Sequence, residues 1–280
     1  MLNYPNIDPV AIDLGPLQIR WYGISYVIGI FLAWWLMNKR AEKDFRWMPE
    51  QVADLVFYAT IGIIIGGRLG SVLFYNLPYY LEHPVDIIKI NQGGMSFHGG
   101  LIGVLVAIWF FGRKTRKGFF TVSDFIAPVV PVGLFFGRIA NFINGELWGG
   151  PSTLPWAMIF PDSRAGGIPR HPSQLYEALL EGVLLFIILW CYSARPRPTM
   201  AVSGLFLLFY GIFRSAVEFV REPDSHIGYL AFGWLTMGQV LSFPMIIAGA
   251  VLLVLAYRNV KNKKSVTRIN KELLERQITE

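Results

Sequence analysis

Cysteine, histidine and charge are scarce in this sequence. It contains one cysteine, Cys191, and four histidines among its 280 residues. A single cysteine excludes an intrachain disulfide and a cysteine-based metal cluster. The sequence also lacks the GxSxG, HExxH and P-loop patterns of common hydrolases, metalloproteases and nucleotide-binding proteins. We therefore expect neither a metal site nor a cofactor.

Apolar residues, by contrast, are abundant. Charged residues make up 16% of the chain and hydrophobic residues 54%, and the mean hydropathy is +0.44. Several apolar runs reach the length of about 20 residues at which a helix crosses a bilayer. The composition predicts an all-α, polytopic membrane protein with one membrane domain at 1–257 and a basic tail at 258–280. Residues 1–19 contain no basic segment, so we expect no cleavable signal peptide.

The distribution of basic residues predicts an orientation in the membrane. The loops after the first, third and fifth apolar runs, together with the tail, hold 17 of the 25 basic residues. Because basic loops stay in the cytoplasm, we expect a periplasmic N-terminus, a small periplasmic head segment at 144–171 and a cytoplasmic C-terminus. The net charge of +6 is then explained without nucleic acid as a partner. The seven predicted spans are 20–38, 51–76, 96–112, 119–143, 172–193, 201–220 and 236–257.

Three arginines lie inside these spans, near the predicted outer ends: Arg68, Arg138 and Arg214. An arginine at the centre of a membrane helix costs about 2.5–3.5 kcal/mol on insertion scales, and such residues usually face a bundle interior or a cavity. The alternative is that each side chain snorkels separately to the lipid headgroups. We favour a shared anion site. As an unpaired buried charge, Arg138 is expected to be replaceable by alanine without loss of the fold.

Other polar residues are predicted to gather at the same side of the membrane. Arginine binds phosphate through bidentate, charge-assisted hydrogen bonds. Arg214 and Glu218 are four residues apart, which places them on one helix face. His98 either takes up a proton near neutral pH or hydrogen-bonds the backbone among its neighbouring glycines, and the residues alone leave both roles open. The predicted site comprises Tyr22, Arg68, His98, Arg138, Asn141, Asn144, Glu146, Tyr210 and Arg214.

Six motifs occur in the order found in one known family. They are RWYG, GGRLGSVLFYN, GGMSFHGGLIG, GRIANFINGELWG, RHPSQLYE and YGIFRSAVEFVREPD. From about Asp8 to Tyr257 the chain thereby resembles the prolipoprotein diacylglyceryl transferase family, enzymes of the bacterial cytoplasmic (inner) membrane. The resemblance implies transfer of an sn-1,2-diacylglyceryl group from phosphatidylglycerol to the lipobox cysteine thiol of a prolipoprotein. The implied products are a thioether and glycerol phosphate, in the first step of lipoprotein maturation.

The resemblance also implies roles for individual residues. Arg138 is implied to be essential and to bind the phospholipid, Arg214 to be a second important arginine, and His98 to assist catalysis. The implied partners are membrane lipid and prolipoprotein signal peptides, and we expect a monomer. Between Trp148 and Arg170 the chain is shorter than the head region of some relatives. The remaining positions that match important ones in the family, or lie in its signature motif, are Tyr22, Asn141, Glu146, Gly149 and Tyr210.

A different class of function is also compatible with the membrane arginines. An anionic-lipid transporter or flippase would use them to bind its substrate within the bilayer. Transporter sites usually lie near the bilayer midplane, whereas these arginines lie towards the outer ends of their spans. The predicted inner ends carry no comparable group of polar residues, so the sequence favours the transferase.

Overall fold

Helices form most of the chain. A computed structural model describes residues 2–5, 7–15, 18–89, 93–223 and 228–279, with side chains up to Lys261. Helical structure lies in each of the seven predicted span ranges, but the fourth range, 119–143, is divided between two helices. The described residues form ten α-helices. They are α1 (Trp21–Ala41), α2 (Pro49–Phe74), α3 (Leu77–Glu82), α4 (Phe97–Thr115), α5 (Phe119–Ile126), α6 (Val130–Ile143), α7 (Ser173–Glu177), α8 (Leu185–Ser193), α9 (Ala201–Glu218) and α10 (Met237–Thr279).

Several of these helices match the dimensions of a bilayer. Among the described residues, four helices are long and apolar enough to cross a membrane: Pro49–Phe74, Ser173–Ser193, Ala201–Glu218 and Met237–Lys261. The pair α5 and α6, bent by 51°, forms a fifth if it is one broken span. Prolines cause this break, because Pro128 and Pro131 lack the amide hydrogens that a continuous helix needs. The chain is therefore a polytopic helical membrane protein, whereas the count of seven spans stays a prediction.

The chain divides into two compact units, which we describe separately. The first unit comprises Met1–Gly29 and Asp124–Glu280, and the second comprises Ile30–Ser123. In the second unit, α2 and α4 pack closely along glycines. A Cβ atom on Gly62 would lie 2.6 Å from the Gly103 carbonyl oxygen, and one on Gly70 would lie 2.7 Å from Gly99 Cα. Small residues at such positions allow close contact between helices inside a membrane.

In the first unit, α9 begins at a carboxylate from another helix. Asp124, in α5, accepts hydrogen bonds from the backbone amides of Met200 and Ser203, at 2.7 and 2.8 Å, and from the Ser203 hydroxyl at 2.6 Å. An anion here satisfies free amides and complements the helix dipole. This contact anchors α9 against α5. The core beside it is apolar and includes Ala127, Leu185, Leu189 and Val202.

The predicted head segment at 144–171 has little regular structure. It contains β3 (Met158–Ile159), which pairs with β4 (Pro169–Arg170) in an antiparallel hairpin. Phe142, Met158, Phe160 and Ala165 form a small buried cluster beneath it. A second hairpin joins β1 (Val10–Asp13) and β2 (Gln18–Arg20). These short strands are an addition to the all-α fold that the sequence predicts.

The predicted tail is not separated from the last span in the backbone. Helix α10 continues from Met237 to Thr279, so the segment at 258–280 begins as an extension of that helix. Among the described side chains, Tyr257 Oη lies 2.8 Å from Tyr192 Oη. The side chains beyond Lys261 lie outside the described residues.

Candidate active site

Three arginines and three glutamates form one charged cluster in the first unit. Helices α6, α7 and α9 each contribute to it, as does the π-helical segment Ala178–Leu184 between α7 and α8. Three guanidinium and three carboxylate charges cancel, which a weakly polar interior favours, because an unpaired buried charge is costly. The six residues, which we call the arginine–glutamate cluster, are Arg138, Glu177, Glu181, Arg214, Glu218 and Arg221.

Glu177 lies at the centre of the cluster. Its Oε2 atom is 2.6 Å from Arg138 Nε and 3.1 Å from Arg214 Nη1. Its Oε1 atom is 3.8 Å from Arg221 Nη1. One carboxylate therefore contacts all three guanidinium groups and holds them near one another.

Glu181 has looser contacts with the same arginines. Its Oε2 atom is 3.5 Å from Arg138 Nη2, and its Oε1 atom is 4.0 Å from Arg214 Nη1. Neither oxygen of Glu181 has an aligned hydrogen bond among the described residues, and the same holds for Glu177. Electrostatic attraction to the arginines therefore holds these glutamates in the cluster. The attraction is weaker for Glu181, because its carboxylate oxygens lie farther from the arginine nitrogens.

Glu218 anchors Arg214 from the other side. Arg214 Nη2 lies 2.5 Å from Glu218 Oε1, which confirms the predicted pair on one helix face. The Thr236 hydroxyl donates to Glu218 Oε2 at 2.5 Å. A Cβ atom on Gly238 would lie 2.6 Å from Glu218 Oε1, so only glycine lets α10 approach this carboxylate so closely.

The arginines and the glutamates differ in exposure. The side chains of Arg138 and Arg214 are 18% and 14% exposed, whereas those of Glu177 and Glu181 are 0% exposed. The carboxylates beside the guanidinium groups are thus fully buried, while the arginine side chains stay partly exposed. Arg138 is also paired, so the expectation that it is an unpaired buried charge is wrong. Its removal leaves two buried carboxylates with one cation fewer.

The signature motif forms a polar turn directly after α6. Asn141 Nδ2 donates to Glu146 Oε1 at 2.8 Å, and Asn144 Nδ2 donates to the same atom at 3.2 Å. Gly145 has φ +67°, a conformation that glycine adopts without strain. Gln174 Nε2 donates to the Glu146 carbonyl oxygen at 2.5 Å and ties the turn to α7. Three predicted site residues, Asn141, Asn144 and Glu146, are thus brought together.

Gly149 lies where the chain is tightly packed. Its amide donates to the His171 carbonyl oxygen at 2.8 Å. A Cβ atom at this position would lie 2.7 Å from His171 Cβ and 3.0 Å from the His171 carbonyl oxygen. The glycine is therefore required by packing in the head segment. His171 Nδ1 in turn lies 3.2 Å from Tyr176 Oη, and burial lowers the pKa of His171.

Two predicted tyrosines belong to the same unit as the cluster. Tyr22 lies one turn before Tyr26 in α1, with their hydroxyl oxygens 3.4 Å apart. Its hydroxyl interacts electrostatically with Arg138 and Glu146. Tyr210 lies one turn before Arg214 in α9 and interacts electrostatically with the cluster. Both positions agree with a polar site around Arg138.

Arg68 has a different environment, in the second unit. Its guanidinium is buried and donates to five backbone carbonyl oxygens of the loop that precedes α4. These acceptors are Ile87 at 2.7 Å, Gly93 at 2.6 Å, Gly94 at 3.1 Å, Lys89 at 3.3 Å and Asp86. A guanidinium has five N–H donors, so none is left for a phosphate. The structure does not support Arg68 as a substrate-binding residue and gives it a structural role.

His98 also belongs to the second unit. It is the second residue of α4, whose first turn is capped by Ser96: the Ser96 hydroxyl accepts a hydrogen bond from the Gly99 amide at 3.1 Å. The imidazole is exposed and packs edge-on against Phe97, with ring centroids 5.7 Å apart. The proton-accepting role and the alternative, a hydrogen bond to the backbone among the neighbouring glycines, both stay predictions.

Four residues of the cluster, Glu177, Glu181, Glu218 and Arg221, are absent from the predicted site. Glu177 and Glu181 lie in the apolar span at 172–193, and the reasoning that singled out the arginines applies equally to them. Their spacing of four residues, in a span without a nearby basic residue, was the available signal. Among the described residues, no group of three histidine, cysteine or acidic side chains could hold a metal ion.

Comparisons with known proteins identify the family of this chain. Residues 9–255 match the sequence profile of the family described as prolipoprotein diacylglyceryl transferase. Phosphatidylglycerol–prolipoprotein diacylglyceryl transferase of Azotobacter vinelandii is 63% identical over 259 residues, which cover 92% of this chain and 97% of that protein. The proteins of the same name from Nitratidesulfovibrio vulgaris and Pseudomonas aeruginosa are 61% and 60% identical, covering 90% and 92% of this chain and 96% and 97% of theirs. The chain belongs to the prolipoprotein diacylglyceryl transferase family.

Proposed function

We propose that this protein is a transferase that moves the sn-1,2-diacylglyceryl group of phosphatidylglycerol to the cysteine thiol of a prolipoprotein lipobox. A carbon–sulfur bond forms at the terminal glycerol carbon of the diacylglyceryl group, and the carbon–oxygen bond to the phosphate breaks. Glycerol phosphate leaves with the bonding electrons, and the thiol loses its proton. The names of the relatives, at about 60% identity over nine-tenths of the chain, support this reaction.

One structural observation carries the site assignment. Arg138 and Arg214 share the Oε2 atom of a fully buried glutamate, and their side chains are partly exposed. Guanidinium groups held near one position in this way can bind a phosphate together. Negative charge grows on the phosphate oxygen as the carbon–oxygen bond breaks, and fixed donors at such a position contribute about 3–4 kcal/mol each in comparable sites. Arg138 and Arg214 are therefore proposed to bind the lipid phosphate and to stabilise the leaving group.

The nucleophile comes from the substrate. A free cysteine thiol has a pKa of about 8.5 and attacks as the thiolate, so the reaction needs a proton acceptor. We assign this role to His98, whose exposed imidazole and matching family motif support it. The turn of Asn141, Asn144 and Glu146 is proposed to contact the polar headgroup, since amide and carboxylate groups suit glycerol hydroxyls. Tyr22 and Tyr210 are proposed to complete the lipid site.

The proposal includes an orientation and a location. We propose seven spans in the bacterial inner membrane, with the N-terminus and the head segment in the periplasm, the C-terminus in the cytoplasm, and a monomeric protein. The basic bias of the predicted inner loops supports this arrangement. Fusion of alkaline phosphatase to the C-terminus should give an inactive reporter. An active fusion would contradict the orientation.

The reaction can be tested with purified protein. Phosphatidylglycerol that is radiolabelled in its acyl chains is mixed with a synthetic lipobox peptide, and label on the peptide is measured. We expect labelled peptide and an equal amount of released glycerol phosphate. A peptide with serine in place of the lipobox cysteine is the control, because it lacks the thiol. Movement of labelled lipid across a vesicle membrane without peptide labelling would favour a flippase instead.

A further inference from the structure

Charge balance in the arginine–glutamate cluster has a consequence for lipid binding. Three guanidinium groups already face three carboxylates, so the cluster is neutral if all six residues are ionised. The phosphodiester of an anionic phospholipid adds one negative charge to this balance. A buried site then holds one uncompensated anion unless one carboxylate gains a proton, and an uncompensated buried charge is strongly unfavourable.

The distances identify the carboxylate that is held least firmly. Glu177 approaches arginine nitrogens to 2.6 and 3.1 Å, and Glu218 approaches Arg214 to 2.5 Å. Glu181 comes no closer than 3.5 Å to either arginine. Glu218 also accepts a hydrogen bond from Thr236, whereas neither oxygen of Glu181 has an aligned partner among the described residues. Its negative charge is therefore the least stabilised of the three.

The neighbours of Glu181 come from each element packed against it. Helix α6 contributes Arg138 and α7 contributes Glu177, while α9 contributes Tyr210 and Arg214. Glu218, also on α9, pairs with Arg214. Arg221 lies just after α9, and its Nη1 atom is 3.8 Å from Glu177 Oε1 and 3.9 Å from Glu218 Oε1. When a phosphate engages Arg138 and Arg214, it competes with Glu181 for the same guanidinium groups. The negative Glu177 beside it also disfavours a second carboxylate charge.

We propose that Glu181 takes up one proton when the lipid phosphate binds to Arg138 and Arg214, so that lipid binding and protonation are linked. The proton comes from solvent, and Glu181 changes from carboxylate to carboxylic acid while Glu177 and Glu218 stay ionised and hold the arginines. This inference rests on the proposed phosphate site. Because the bound state carries the extra proton, affinity for phosphatidylglycerol falls as pH rises, by up to tenfold per pH unit.

Calorimetry can measure the proton directly. Phosphatidylglycerol is titrated into the purified protein in neutral detergent, without acceptor peptide, in buffers that differ in ionisation enthalpy and over several pH values. For the wild type we expect uptake of one proton per lipid and weaker binding at higher pH. Glu181→Gln should bind with an affinity that does not depend on pH and matches the wild type at low pH, and it should take up no proton.

Control variants distinguish proton-linked lipid binding from a general loss of structure. Glu222→Gln removes a carboxylate that pairs with Arg170 at 2.9 Å in the head segment, so it should keep wild-type affinity and proton uptake. Glu177→Gln should weaken lipid binding at every pH, because it removes the residue that holds the arginines. Proton uptake by Glu181→Gln equal to that of the wild type, or tight wild-type binding without uptake, would overturn the proposal.

Infrared spectroscopy of the wild type gives a second readout that needs no variant. Addition of a phosphatidylglycerol analogue with ether-linked chains, which lacks the ester C=O groups that absorb in the same region, should increase the carboxylic acid C=O band. No increase would count against the linkage. Arg138→Ala distinguishes this proposal from the proposed function. If Arg138→Ala binds the lipid as tightly as the wild type, the phosphate site itself is wrong. If Arg138→Ala loses binding but the wild type takes up no proton, only the linkage fails.

Discussion

Arg68 and Arg138 lie in nearly the same local sequence but have different partners. Gly67-Arg68-Leu69-Gly70 and Gly137-Arg138-Ile139-Ala140 both place the arginine between small residues of an apolar helix. Arg68 donates to neutral backbone carbonyls, which use all five of its N–H groups. Arg138 contacts two buried carboxylates and keeps 18% of its side chain exposed. The comparison shows that the partners of a membrane arginine, more than its sequence context, decide what it can do.

The two kinds of partner have different energetic consequences. Backbone carbonyls are fixed by the fold, so an arginine that they surround stabilises the loop that supplies them. Carboxylates carry charge that can be redistributed when another anion arrives. We therefore expect the Arg138 region to exchange partners with a ligand, and the Arg68 region to do so only if its loop is disrupted. Experiments on the two arginines should separate catalysis from stability.

Replacement of Arg138 is expected to have the largest effect on transfer. Arg138→Ala should lower single-turnover transfer to a lipobox peptide at least 100-fold, taking about 3 kcal/mol as the lost stabilisation. Arg138→Lys should resemble alanine more than the wild type, because lysine lacks the planar fork. The alanine variant should also be less stable, by up to about 3–5 kcal/mol, since it leaves buried carboxylates underpaired.

A double variant separates these two effects. Arg138→Ala combined with Glu181→Gln removes one charge of each sign and should recover much of the lost stability in thermal denaturation. Transfer should stay low, because the lipid phosphate still lacks the guanidinium group of Arg138. Near-normal transfer by well-folded Arg138→Ala would refute the phosphate site and the contrast with Arg68.

Replacement of Arg214 is expected to have a smaller effect. Arg214→Ala should lower transfer about 10- to 100-fold, because Glu177 still holds Arg138 at 2.6 Å and one phosphate ligand remains. Part of the loss should be structural, since Arg214 also pairs with Glu218 at 2.5 Å. Single-turnover rates and lipid KM values, measured on variants checked by thermal denaturation, test this. An effect larger than that of Arg138→Ala would reverse the assigned order.

The sequence predicted the helices well because their signal is local. Apolar runs of bilayer length placed helical structure in all seven ranges, and spacing alone placed Arg214 beside Glu218. The break between α5 and α6 was missed, although Pro128 and Pro131 mark it, because the apolar run continues through it. Hydropathy indicates which segments lie in lipid, but it carries no information on a bend in the helix axis.

The site was predicted less completely because its geometry depends on contacts distant in sequence. Arg138 was identified, but its partner Glu177 lies 39 residues away on another helix. Arg68 was assigned to the substrate site because, like Arg138, it lies inside a predicted span near the outer end. Its real acceptors are carbonyl oxygens of a loop about 20 residues downstream, and every residue type carries such an oxygen. No sequence pattern could have revealed them.

Replacement of Arg68 is expected to have the smallest effect on transfer. Arg68→Ala should keep the KM for phosphatidylglycerol and the transfer rate per folded molecule within about threefold of the wild type, because no N–H of Arg68 is free to bind phosphate. Stability should fall by about 3 kcal/mol, since several buried charge-assisted hydrogen bonds are lost and carbonyl oxygens stay unsatisfied. Arg68→Lys should recover only part of this stability, because an ammonium group has three donors where the guanidinium has five. Thermal denaturation and the KM for phosphatidylglycerol, measured on the same preparations, test both the stability loss and the unchanged lipid binding. If well-folded Arg68→Ala raised the KM for phosphatidylglycerol as much as Arg138→Ala, then neutral carbonyl partners would not prevent an arginine from binding lipid phosphate.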